Sequence, residues 1–153
     1  MRTEILARAT NTPVTTSKRI AVEPLILVRW SIALCYIWFG ALKFFPGLSP
    51  AEVLAAKTIN ALSLGLIHGQ VAVVLLACLE CAIGLALLTR FGSRVGLHVL
   101  LAHMLFTFSP LFLFPDICFT QAPFALTLVG QYIIKNLVIA SVAWMILKQD
   151  RPH

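Results

Sequence analysis

Four long apolar runs constrain the fold of this 153-residue chain more than any other feature. A membrane-spanning helix needs about 20 mainly apolar residues, and each run is close to that length. Each run should be helical, because an isolated strand cannot pair its backbone polar groups inside lipid. The chain is therefore predicted to be all-α, an integral membrane four-helix bundle that forms one domain over residues 23–148. The predicted spans are residues 24–42, 71–88, 95–114 and 123–147.

The composition excludes several other classes of protein. Hydrophobic residues make up 59% of the chain and charged residues 12%, whereas soluble domains average about 45–50% and about 25%. Such a sequence is neither an ordinary soluble domain nor a disordered chain, and it is not a disulfide-stapled secreted module. The lipid membrane is therefore the first partner that the sequence predicts.

The basic residues predict the orientation of the four spans. Eight of them fall on the side that holds both termini and the second loop, two fall on the other side, and two lie within spans. The side richer in Lys and Arg faces the cytoplasm, so residues 1–22 and 149–153 are predicted to be polar cytoplasmic tails. Residues 1–20 lack the apolar core of a secretory signal, and Glu4 argues against a mitochondrial transit peptide. The dispersed basic residues give no reason to expect a nucleic-acid partner.

The first outer loop, residues 43–70, is predicted to contain a short interfacial helix. Ser49, Pro50 and Glu52 have the spacing of a capping box with proline at the first helical position. The apolar residues that follow, from Val53 to Leu62, are typical of a short amphipathic helix that lies on the membrane surface.

Two opposite charges lie near the middle of different spans, Glu80 in the second and Lys135 in the fourth. Each alone costs about 2.5–3.5 kcal/mol on insertion scales, so we expect the two to face each other. Gly84 shares the face of Glu80 and permits a close helix approach. Gln131 shares the face of Lys135, and Asn136 lies beside it. The pair is a candidate functional site, or it serves only to fix which helices pack together.

The first span carries a second polar stripe. Arg29, Tyr36, Gly40 and Lys43 recur at intervals of seven, four and three residues, which places them on one helix face. Arg29 lies near the cytoplasmic end and Lys43 at the outer end, where both could instead extend to the interface and anchor the topology.

The histidines and cysteines give weaker signals. His98 and His103 are five residues apart, so they do not share a helix face and cannot bind one metal ion together. No metal site is predicted. Cys78 and Cys81 form a CxxC spacing, but their position near mid-span favours ordinary core cysteines over a redox pair.

Several stretches resemble the DoxX-like membrane proteins and the allied reactive-chlorine-resistance membrane proteins. The stretch from Arg29 to Ala33 followed by Trp38 to Pro46 (WFGALKFFP) resembles their first helix. Leu79-Glu80 with Ile83 to Leu85 resembles their second, and Thr127 to Leu137 (TLVGQYIIKNL) resembles their fourth. Cys78 and Cys81 depart from that pattern.

The resemblance implies a bundle in the bacterial cytoplasmic membrane. DoxX relatives include the small membrane subunit of a thiosulfate:quinone oxidoreductase, and others are linked to oxidant-defence complexes. The leading hypothesis is a redox-linked subunit that binds quinone through Gln131 and Lys135 or anchors a soluble oxidoreductase, with homo-oligomerisation also open. The alternatives are a non-enzymatic scaffold with a structural Glu80–Lys135 pair, or a small-anion transporter. The candidate site residues are Arg29, Tyr36, Lys43, Glu80, Gln131, Lys135 and Asn136.

Overall fold

Helices dominate the structure, a computed structural model that describes residues 22–89 and 92–149. Of the two predicted tails, only Val22 and Gln149 fall within the described residues. Arg90, in the loop between the second and third spans, also lies outside them. The helices are α1 (Val22–Leu42), α2 (Glu52–Leu62), α3 (Gly69–Thr89), α4 (Ser93–Phe108), α5 (Pro110–Leu113), α6 (Pro115–Cys118) and α7 (Leu128–Gln149). Two short strands, β1 (Phe119–Gln121) and β2 (Ala125–Leu126), pair antiparallel between α6 and α7.

Four helical segments are long and apolar enough to cross a membrane, so the predicted all-α four-helix membrane bundle is confirmed. They are Pro24–Leu42, Gly69–Thr89, Ser93–Leu113 and Leu128–Gln149. The fourth begins five residues later than predicted, because residues 119–126 form the β-hairpin. The third consists of α4 and α5, which are separated at Ser109 because Pro110 has no backbone N–H to continue the helix.

The bundle has two ends, a loop end and a terminal end. The loop end carries the α1–α3 connection (residues 43–68) and the α5–α7 connection (residues 114–127). The terminal end carries the start of α1, the α3–α4 connection and the end of α7. The apolar core lies among α1, α3, α4 and α7, and includes Ala33, Leu87, Leu97, Leu100, Ala143 and Ile146, none of which is exposed.

Helices α1 and α3 approach closely because each presents a glycine to the other. A Cβ added at Gly84 would lie 2.8 Å from the carbonyl oxygen of Ala33 and 2.6 Å from Cγ1 of Ile37. One added at Gly40 would lie 3.1 Å from the backbone nitrogen of Cys81. Small residues at these crossings let the two backbones pack against each other, as in other membrane helix pairs.

These contacts also show that α1 and α3 are offset along their length. Gly40, near the end of α1, is level with Cys81, which lies at the middle of α3. The eleven residues from Gly69 to Leu79, about 16 Å of helix, therefore extend past the end of α1 toward the loop end. Helix α2 packs against α3 and α5 in this region.

The predicted loop helix exists as α2, but the capping box is wrong. The N-cap residue is Ala51 rather than Ser49, and no side chain caps the helix. The carboxylate of Glu52 instead accepts a hydrogen bond of 2.8 Å from the backbone N–H of Gly47. Gly47 has a φ of +80°, which glycine adopts without strain, so the chain turns here before α2 begins.

The entry into α7 is tightly packed against α6. A Cβ at Gly130 would clash with the carbonyl oxygen of Cys118, and the Thr127 hydroxyl donates to the carbonyl of Ile117 at 2.7 Å. The Cys118 side chain is fully buried, and this burial raises the pKa of its thiol. The thiol is therefore protonated at neutral pH.

We predict that Gly84→Ala destabilises the protein by about 1–3 kcal/mol, because the new methyl group would press on the α1 backbone. The measurement is unfolding of the purified protein in mixed micelles. Ala82→Val is the control, since it adds volume on the exposed face of the same helix. Equal stability of Gly84→Ala and the parent protein would contradict the close α1–α3 packing.

Candidate functional site

A buried ion pair joins Lys43 to Glu80. The Lys43 Nζ donates to Oε2 of Glu80 at 2.6 Å, and also to the carbonyl of Phe39 at 3.2 Å. The two side chains are only 6% and 12% exposed. The expected Glu80–Lys135 pair is therefore wrong, because Lys43 occupies the position in which Lys135 was expected.

The offset between α1 and α3 explains this partner. Lys43 is the first residue after α1, which the sequence alone places at the outer membrane surface. Since α1 ends level with the middle of α3, Lys43 instead reaches the depth of Glu80. A charge of opposite sign offsets the cost of holding each group away from water.

A second pair of polar residues lies beside this ion pair. The hydroxyl of Tyr36 on α1 and Nδ1 of His103 on α4 share a hydrogen bond of 3.1 Å, and the two rings meet edge to face at 5.8 Å. The Nε2 atom of His103 lies 4.0 Å from Oε1 of Glu80. That distance is too long for a direct hydrogen bond but short enough for one bridging oxygen atom.

Lys43, Glu80, His103 and Tyr36 thus form one continuous polar cluster that joins α1, α3 and α4. We call these four residues the polar cluster. Within the described residues, every buried side-chain nitrogen or oxygen has a hydrogen-bond partner. The arrangement combines a carboxylate, an imidazole and a phenol, which can pass protons among themselves over short distances.

A cavity of about 340 Å³ lies against this cluster on the loop-end side of His103. Its walls come from α2, the turn after α2, α3 and α4, and they are almost wholly apolar apart from His103 and Ser63. Leu75 and Phe106 at its rim are 52% and 60% exposed, so the cavity opens at the surface of the bundle. The lining residues are Ile59, Leu62, Ser63, Ile67, Ala72, Leu75, Leu76, Leu79, His103 and Phe106.

The polar stripe predicted on α1 does face the bundle interior. Arg29, Tyr36, Gly40 and Lys43 are all buried, so the side chains of Arg29 and Lys43 point into the bundle rather than outward from it. Arg29 is 4% exposed and donates to the Ser93 hydroxyl at 3.0 Å, at the terminal end of the bundle. It therefore belongs to a contact separate from the polar cluster.

The predicted residues of α7 lie elsewhere. Gln131 and Lys135 are exposed on the outside of the bundle, and Asn136 is half-buried. The Lys135 Nζ lies 5.1 Å from the centre of the Tyr132 ring, one turn away on the same helix. The structure thus brings three of the seven predicted residues together, namely Tyr36, Lys43 and Glu80.

The cysteines show no sign of a redox pair. All four are free. Cys78 is exposed on the outer face of α3, so the prediction of a core cysteine is wrong for that residue, while Cys81 is half-buried. Among residues 22–89 and 92–149, no group of three or more His, Cys, Asp or Glu side chains is arranged to hold a metal ion.

Sequence reasoning missed His103. Its helical spacing from Leu97, Leu100 and Met104 could have predicted its burial, because these apolar residues and His103 share the buried face of α4. His98, by contrast, is exposed and contacts the carbonyl of Arg94 at 2.7 Å. The two histidines do point in different directions, as the sequence predicted.

No protein family model, curated protein or solved structure matches this chain significantly. The DoxX-like resemblance therefore stays a prediction that rests on the residues quoted for it.

We predict that Glu80→Gln and Lys43→Met each destabilise the bundle by about 3 kcal/mol, because each leaves one buried charge without its partner. The double variant should recover much of that loss. A double-mutant cycle on unfolding free energies measures the coupling.

The control is a double-mutant cycle that combines Glu80→Gln with Lys135→Met. In this cycle the changes in unfolding free energy of the two single variants should add. Coupling of Glu80 to Lys135 but not to Lys43 would contradict the ion pair described above.

Proposed function

We propose that this chain is a DoxX-like, redox-linked membrane subunit that binds quinone in the cavity beside His103. The observation that carries the proposal is the position of His103, one member of the polar cluster, in the wall of an apolar cavity. Quinone sites need an apolar enclosure for the ring and one or two polar groups that fix its oxygen atoms. His103 supplies such a group, and Glu80 lies directly behind it.

The size and shape of the cavity fit this ligand. About 340 Å³ is at the small end of ligand pockets and suits a single ring rather than a long tail. The exposed rim residues Leu75 and Phe106 leave a path by which an isoprenoid tail would extend into lipid. When bound, a quinone would accept two electrons and take up two protons.

The polar cluster is suited to the proton part of that chemistry. The imidazole of His103 can hold a proton on Nε2, facing Glu80, while Nδ1 accepts from the Tyr36 hydroxyl. A quinol hydroxyl could bridge the 4.0 Å between Nε2 and the carboxylate, accepting from Nε2–H and donating to Glu80, whereas a quinone oxygen could only accept from Nε2–H. Lys43 stabilises the Glu80 carboxylate and keeps it positioned toward His103.

The proposal includes the orientation that the basic residues favour. Both termini lie in the cytoplasm, the membrane is the bacterial inner membrane, and the cavity opens in the outer half of the bilayer. A soluble oxidoreductase would supply the electrons. The excess of basic residues on the side that holds the termini supports this orientation.

A scaffold role is the second candidate, and the buried ion pair favours it. Lys43 and Glu80 join α1 to α3 at their crossing, which a purely structural bundle would also need. A scaffold would not need the cavity or a histidine in its wall.

We predict that the protein in lipid nanodiscs binds a short-tailed ubiquinone or menaquinone analogue saturably. His103→Phe should weaken binding at least about tenfold, because the group that contacts the ring oxygen is lost. Leu76→Trp should weaken it as well, because it fills the cavity while leaving every residue of the polar cluster unchanged. Quenching of tryptophan fluorescence reports the binding.

His98→Phe is the matched control, since that residue lies on the same helix outside the cavity, and it should bind like the parent protein. Loss of binding in Lys135→Met but not in His103→Phe would move the quinone to the α7 residues predicted from the sequence. Absence of saturable binding in the parent protein would favour the scaffold role.

A further inference from the structure

Helix α7 carries a polar patch on the side that faces away from the bundle. Leu128, Gln131, Tyr132, Lys135 and Val138 follow one another at spacings of three, one, three and three residues, which places them on one helix face, and all are exposed. Lys135 lies in the middle of this stripe. It is the eighth residue of α7, so its Cα lies about 10 Å along the helix from Leu128.

Among residues 22–89 and 92–149, Lys135 has no partner of opposite charge. In the part of the chain that the structure describes, Lys135 forms no ion pair and its recorded contact is with the Tyr132 ring. A cation–π contact recovers only part of the cost of holding an ammonium group in lipid. Lys43, the other lysine at depth, is fully paired with Glu80. The exposed face of α7 is therefore complementary to a helix that presents a carboxylate.

A second copy of this chain fits the patch poorly. A two-fold axis normal to the membrane places the same residue of both copies at the same depth. An interface centred on Lys135 would then bring two ammonium groups together in a medium that screens them weakly. The described carboxylates of a second copy would not neutralise these ammonium groups. Glu80 is bound to Lys43 and Glu52 to the backbone of Gly47, and Asp116 lies in the loop-end connection.

We infer that the Gln131–Lys135 face of α7 docks a membrane-spanning helix of a different protein, one that carries an Asp or Glu opposite Lys135. The carboxylate would pair with the ammonium group, and the Gln131 amide would donate to it from one turn away. This inference rests on α7 alone and does not depend on quinone binding.

The test uses two synthetic membrane-spanning Leu–Ala peptides that are identical except for one residue, Asp in one and Asn in the other, seven residues from one end. The full chain is reconstituted with each peptide in phosphatidylcholine vesicles, and energy transfer between labels reports association. We expect the Asp peptide to bind about tenfold more tightly than the Asn peptide. Lys135→Met should remove this preference.

Lys148→Met is the matched control, because Lys148 also lies over an aromatic ring on α7, that of Trp144 at 5.0 Å, but in the last turn. It should keep the preference. A charge exchange gives a second readout, in which Lys135→Glu should prefer a peptide with Lys at the same position.

Three results would overturn the inference. The first is equal binding of the two peptides, or a preference that persists in Lys135→Met. The second is near-complete disulfide cross-linking between copies of Gln131→Cys, which would place a second copy on the face. The third is loss of the preference when phosphatidylglycerol is added, which would assign Lys135 to a lipid headgroup.

Discussion

The ion pair between Lys43 and Glu80 is the interaction on which the rest of the bundle depends. A carboxylate at the middle of a membrane-spanning helix needs a cation at the same depth, and the cation comes from the end of α1. Only a close crossing permits this, and Gly40 and Gly84 make the crossing close. The ion pair therefore depends on the two glycines.

The offset between α1 and α3 that forms the ion pair also determines where the cavity lies. Because α1 ends level with the middle of α3, it cannot cover the loop-end half of α3 and α4. Helix α2 packs there instead. An eleven-residue helix covers that surface incompletely, which leaves the apolar cavity between α2, α3 and α4. His103 connects this cavity to the polar cluster, since it lines the cavity and is hydrogen-bonded to Tyr36.

The sequence was sufficient to predict which faces are polar but not how the helices are offset. Apolar length predicted the four spans, and helical spacing correctly placed Arg29, Tyr36, Gly40 and Lys43 on one helix face, but it left open that this face is the interior one. The partner of Glu80 depended on axial position, for which the sequence holds no periodic signal. With every span assumed to cross the full membrane, Lys43 belonged at the surface and Lys135 was the one lysine left at the depth of Glu80.

The proposed quinone site would account for polar groups around the ion pair that a purely architectural role leaves unexplained. A pair that only joined α1 to α3 would be complete with Lys43 and Glu80, both of which have their hydrogen-bond partners. Tyr36 and His103 add a further buried polar contact from a third helix, at the wall of a cavity where an apolar side chain would pack as well. Replacing buried polar groups by apolar ones of similar shape is often neutral or stabilising. His103 lies between the Glu80 carboxylate and the open cavity, and under the proposed function it is the group that would contact the ligand there.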